Sequence, residues 1–287
     1  MKFKDVFIIF NIFIVVFMAA LIFMPFFMFG EDLAKGFWKS SWYLIVILVV
    51  VLFVFNAYFL TNRKLYSLLE KEDWPALVHH LEDMVLRRGK YKQNLVKLLA
   101  NTYLLLSDSS AVINLENKLT AAKPRLITKN ALIFGTARIL FGDFRNALHF
   151  FEEYSVKTST SKNDDNSWMR WFYGFTLLLD KQYENGAEEF MRIAKESLNM
   201  TAVGLCAYFF GNNLISLLPE RVIEFSSIAR QGKERVLKTF PEYSRWEKEC
   251  KKLNAQIFTA VLVKYLDETG RWLYNSSNED SRKVTET

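Results

Sequence analysis

The sequence predicts an all-α fold, and three observations carry it. Two long apolar runs open the chain, apolar residues then recur at helical spacing with no convincing period-two stretch, and one spaced set of glycine and aromatic positions appears twice. That set is Gly135, Gly142, Phe144, Ala147 and Phe151, followed 39 residues later by Gly174, Lys181, Tyr183, Gly186 and Phe190. A recurrence of this kind marks a repeated helical hairpin.

The apolar runs come first. Val6 to Phe29 is broken only by Asn11 and Pro25, and Trp42 to Leu60 carries Asn56 as its one strongly polar residue. Each approaches the ~20 residues that a helix needs to cross a bilayer. The first run is longer than a signal-peptide core and closes on Met24, Pro25 and Phe26 instead of a small-x-small cleavage site, so it is expected to remain as a span. Trp38, Trp42 and Tyr43 stand where an interfacial aromatic belt belongs. Lys2 and Lys4 before the first span, with Arg63, Lys64 and Lys71 after the second, outnumber Lys35 and Lys39 between them. The bias predicts an inner-membrane protein with both termini and the helical domain in the cytoplasm, and with the short loop between the spans outside.

After residue 61 the spacing stays helical. Trp74, Leu77, Leu81 and Met84 follow i, i+3, i+7, i+10, and Val96, Leu99 and Tyr103 follow i, i+3, i+7. The organisation read from this is a membrane hairpin over 1–61, a repeat domain over 62–274, and a polar, disordered tail over 275–287. Ser155 to Ser167, rich in Ser, Thr, Asn and Asp, is expected to form an extended loop. Trp246, Leu253, Ile257, Val261 and Leu266 predict one long amphipathic capping helix after Pro241.

The repeat set resembles the tetratricopeptide repeat family, a 34-residue helix-turn-helix with preferred small, aromatic and glycine positions. A unit beginning at Thr128 supplies Gly135, Gly142, Phe144, Ala147 and Phe151 at the family's positions 8, 15, 17, 20 and 24. One beginning at Gln93 supplies Leu99, Ala100, Tyr103 and Pro124. Further units start near Tyr58, Ser167 and Ala202, giving intervals of 35, 35, 39 and 35. The fourth has Lys181 at the turn glycine, and the fifth has Arg221 where Ala is preferred. The resemblance implies an α-solenoid with a capping helix, whose concave groove holds a segment of another protein. Carried over position by position, the groove comprises Lys97, Asn101, Lys129, Leu132, Thr136, Trp168, Trp171 and Phe175. Lys97 and Asn101 match the start of the family's carboxylate clamp, but Ile133, Trp168 and Phe172 stand where the clamp needs Asn and basic residues, so recognition of a chaperone tail is not implied.

Chemistry is thin. The net charge of +6 is too small and dispersed for nucleic acid and supports at most a mild attraction to anionic lipid. Cys206 and Cys250 lack a CxxC pattern and are expected to be unpaired thiols. His79 and His80 are adjacent on a helix and diverge by about 100°, His149 is remote, and the Asp164–Asp165 pair lies in the polar stretch. With no HExxH, Walker or GxSxG motif, the expectation is no enzyme, cofactor or metal. Two functions remain: a membrane-anchored adaptor that uses the groove, or a structural subunit of a larger membrane assembly that exposes an apolar patch outside it. The expected partners are the bilayer and proteins, with oligomerisation an option.

Overall fold

The computed structural model describes residues 3–158, 164–254 and 256–284, and no strand occurs among them. They form two compact units, Met1–Met84 and Val85–Thr287.

The first unit is a helical hairpin with a short third helix. α1 (Phe3–Phe29) and α2 (Glu31–Glu70) are joined at Gly30, whose φ of 77° suits glycine. The loop expected between the spans is therefore mostly helix, bent at Ser41, where φ and ψ leave the helical region. Asn11 and Asn56, the polar interruptions of the two apolar runs, meet each other: Asn56 Nδ2 donates to Asn11 Oδ1 at 2.9 Å. Such a bond between apolar helices contributes roughly 1 kcal/mol and sets their register. Phe7 stacks on Phe59 at 3.5 Å, and Trp38 Nε1 donates to the Ile22 carbonyl at 3.1 Å. Both helices are long and apolar enough to span a membrane. α3 (Trp74–Glu82) doubles back on α2, and a π-helical turn, Asp83–Arg87, follows it. The division falls after Met84 because α2 continues beyond residue 61 and α3 packs on that extension.

The second unit is a run of antiparallel hairpins: α4 (Gln93–Leu105) with α5 (Ser109–Ala122), α7 (Ala131–Leu140) with α8 (Phe144–Thr158), and α9 (Asp164–Leu179) with α10 (Tyr183–Glu196). A short α6 (Arg125–Lys129) links the first two. The repeat register is written in the backbone. Glu72, Ser107, Gly142 and Lys181 all have positive φ, 53°, 56°, 76° and 64°, at the predicted 35, 35 and 39-residue intervals. Each turn closes with the same pair of bonds. The Gly142 N–H donates to Ile139 O and that of Asp143 to Arg138 O, and Lys181 and Gln182 donate likewise to Leu178 and Leu177. This is the Schellman closure, which satisfies orphan carbonyls at a helix end. Asp73 and Asp108 then accept from the N–H groups of Ala76 and Ala111, capping the second helices of their hairpins.

The recurring glycines have a packing reason. A Cβ on Gly135 would stand 2.3 Å from Phe151 Cζ, and one on Gly174 would stand 2.7 Å from Phe190 Cδ1, so both hairpins seat the second helix's phenylalanine on the first helix's backbone.

Further expectations are corrected. α8 runs to Thr158 and α9 starts at Asp164, so helix occupies both ends of the stretch read as an extended loop; residues 159–163 lie outside the described set. The fifth hairpin departs from the register. Its first helix runs as α11 (Met200–Phe209), a π segment (Phe210–Leu214) and α12 (Ile215–Leu217), and its turn, Leu218–Arg221, contains Pro219 and no positive φ. Gly232 of the following α13 (Val222–Thr239) supplies the close approach, against Ala207. Arg221 bonds Glu184, Glu188 and Glu224 at 2.8–2.9 Å, tying hairpins four and five where a small residue was expected. Although Met200–Leu217 is also apolar enough to span a bilayer, more than half of it is buried within this unit, so its apolarity belongs to the core.

The single capping helix is instead three pieces: α14 (Tyr243–Asn254), a 3-10 turn (Ile257–Val261) and α15 (Val263–Val284). α15 continues past Asn275, where the polar tail was expected to begin.

Candidate functional site

The groove residues expected on the first helices separate into two groups. Leu132 is half-buried, whereas Thr136, Trp168, Trp171 and Phe175 are buried at 0, 2, 0 and 5 % exposure; of these, Trp168 borders a cavity of about 500 Å³, with Leu198, Phe240, Gln256 and Phe258. The chain's own C-terminal segment covers them. Phe258 from the 3-10 turn packs on Trp168 and Phe172, with ring centroids 5.8 and 6.1 Å apart, and Tyr265 of α15 packs on Phe175 and Phe209 at 5.7 and 5.0 Å. Trp171 is the hub beneath, against Phe175, Phe190 and Phe209 at 5.1–5.9 Å. Thr136 donates its hydroxyl to the Leu132 carbonyl. Leu262 just before α15, and Leu266, Thr269 and Leu273 within it, form a stripe at helical spacing and at most 2 % exposed, and α15 packs on α11 and α14.

Polar contacts fasten the edges of the cover. Tyr208 donates to Glu268 Oε2 at 3.0 Å, Lys233 to the Trp272 carbonyl at 3.0 Å, and Tyr274 to the Phe240 carbonyl at 2.5 Å. Burial, with the bond to Glu268, pushes the Tyr208 phenol up to about 12, and burial does the same for Tyr274. Cys206 and Cys250 are both free; burial raises the Cys206 thiol, and burial with neighbouring Glu249 and Glu247 pushes Cys250 up to about 12. Neither is a thiolate nucleophile at neutral pH.

Lys97, Asn101 and Lys129 form the second group, on α4 and at the end of α6. Both lysines are exposed; Asn101 is half-buried, its Oδ1 without a hydrogen-bond partner among the described residues. His149 Nδ1 lies 3.8 Å from Glu152, and no group of three or more His, Cys, Asp and Glu suited to a metal occurs among the described residues.

Leu198, 85 % exposed, borders the cavity beside Trp168, but most of the exposed large apolar side chains of this unit lie elsewhere. Leu105 and Leu106 close α4, Leu140 closes α7, Leu179 closes α9 and Leu217 closes α12, all exposed, with Phe144 and Ile223 at the starts of the helices that follow. Ile223 is 90 % exposed. These residues sit at the turn ends of four successive hairpins. A motif search overlooks them because each is an ordinary leucine at the edge of a helical stripe.

Residues 111–275 match the family described as "Uncharacterised Treponema protein", more than half of the chain. The chain belongs to that family. The matched region begins in α5 and ends in α15, so it holds both the aromatic layer and the segment that covers it. A relative from Treponema pallidum (strain Nichols), described as "Uncharacterized protein", is 27 % identical over 177 residues, 62 % of this chain and 54 % of its own. The chain thus spans about half the length of that relative. No solved structure matches.

Proposed function

We propose that this protein is a membrane-anchored structural subunit of a larger assembly, held by α1 and α2 and docking a partner protein through the exposed apolar turn ends of a tetratricopeptide-like hairpin stack. The observation that carries this reading is the division of apolar surface in the second unit. The inner aromatic face is filled by the chain's own C-terminal segment, whereas leucines, a phenylalanine and an isoleucine stay open at the turn ends of four hairpins. A groove-binding adaptor needs the reverse arrangement. Apolar side chains clustered beside polar turns are the pattern of a docking surface.

The test is isolation of the intact protein from its native membrane in mild detergent, comparing wild type with Leu140→Ser plus Ile223→Ser. Both positions are exposed, so each change should move stability by less than about 0.5 kcal/mol. The expected result is loss of the co-purifying proteins at unchanged thermal stability. Recovery of the same proteins with the double variant would sink the proposal.

A further inference from the structure

The chain's cations are not spread evenly. From Met84 to Ser107 there is no acidic residue, while Arg87, Arg88, Lys90, Lys92 and Lys97 are all exposed. From Asn117 to Gly142 there is again none, with Lys118, Lys123, Arg125 and Lys129 exposed. Glu116, which borders the second stretch, is taken by Arg138 at 2.7 Å.

The fold brings the two stretches together. α4 and α5 are antiparallel about the turn at Leu106–Asp108, so the start of α4 and the end of α5 lie at one end of their hairpin, and α6 packs against both helices. That end is cationic, while Asp108 sits at the other. Evenly mixed surface charge would give neither end a sign; here two acid-free runs share one end.

We propose that this cationic end of α4, α5 and α6 docks on the anionic headgroups of the bilayer that holds α1 and α2. It rests on the reading of those two helices as spans. Beyond Leu60 the second span continues for about 15 Å of helix to Glu70, and α3 with its π turn returns about the same distance by Met84. Arg87 and Arg88 follow Met84 by three and four residues, so chain connectivity alone limits them to about 14 Å from Met84. A polybasic surface so tethered is attracted to anionic lipid at about 1 kcal/mol per cation. Nucleic acid fits less well: this end presents Tyr91 as its one aromatic between the cations, and stacking platforms need several.

Hydrogen exchange of the full chain in lipid nanodiscs tests this, comparing phosphatidylcholine alone with the same lipid carrying roughly 30 % phosphatidylglycerol. The expected result is exchange slowed by about fivefold or more over 86–97 and 117–129 in anionic discs only, and restored at ~1 M salt, where the Debye length is ~3 Å. Lys90→Glu, Lys92→Glu, Lys123→Glu and Arg125→Glu combined should abolish the difference. Equal exchange in the two lipids, with 7–28 and 42–60 protected in both, overturns the headgroup contact and leaves the spans standing. Free exchange across 7–28 and 42–60 overturns the span reading itself. Protection by an added oligonucleotide without protection by anionic lipid overturns the proposal in favour of nucleic acid.

Discussion

Gly135 and Lys181 show how a single residue type is decided by its surroundings. At Gly135 the helix would gain about 1 kcal/mol from alanine's propensity, but the new Cβ would stand 2.3 Å from Phe151. Overpacking of that kind costs about 1–3 kcal/mol. Gly135→Ala should therefore lower the melting temperature by a few degrees, and an unchanged or raised value in a thermal melt would refute the packing account. Lys181 has the opposite sign. It holds φ 64° with a side chain that disfavours it, in a turn otherwise identical to that of Gly142. Lys181→Gly should stabilise by about 0.5–1 kcal/mol, once glycine's extra unfolded-state entropy is subtracted from the relieved strain. Denaturant melts at constant m-value would read it.

At the scale of elements, the C-terminal segment is the part whose role changed most between pattern and structure. Its residues were expected to cap the stack as one helix with a stripe through Ile257 and Val261. A 3-10 turn, Ile257–Val261, precedes α15 instead, and Phe258 and Leu262 are buried there, with Phe258 against the aromatic layer. This cover is expected to be sensitive to alkali. Tyr208, Tyr274 and Cys250 are held neutral, with folded values near 12 against ordinary values of 10.0, 10.0 and 9.0. Groups whose folded values are raised contribute stability that is complete below their unfolded values and lost as pH climbs through the window from about 9 to 12. Melting temperature should fall steeply across that range, and less steeply in Tyr208→Phe. Identical slopes for the two proteins would remove Tyr208 from the explanation.

At the scale of the whole molecule, the prediction concerns the compartment. Two apolar helices at the N-terminus, with the basic residues outside the pair of spans in excess, lead us to propose that the hairpin unit faces the cytoplasm. A cysteine substituted at exposed Glu234 should then escape an impermeant maleimide in intact cells and react after permeabilisation. The native thiols give little background, since burial keeps both protonated at neutral pH. Labelling of Glu234→Cys in intact cells would reverse the orientation.

The amino-acid sequence by itself determined the class of fold, the two apolar helices and the register of the first four hairpin turns. Each depends on contacts between neighbours three, four or sixteen residues apart, and such spacing is visible in a linear string. Even the turn at Lys181, which lacks glycine, kept its place, because the flanking helices dictate where the chain must reverse. Tertiary structure alone decided what the inner face does. Trp168, Trp171 and Phe175 read equally well as groove anchors or as core until Phe258 and Tyr265, some 90 residues further on, are brought against them. The same holds for charge: two acid-free runs become one cationic end only when α4 and α5 fold antiparallel. Burial and surface potential sum over residues distant in the chain, and no local spacing encodes that sum.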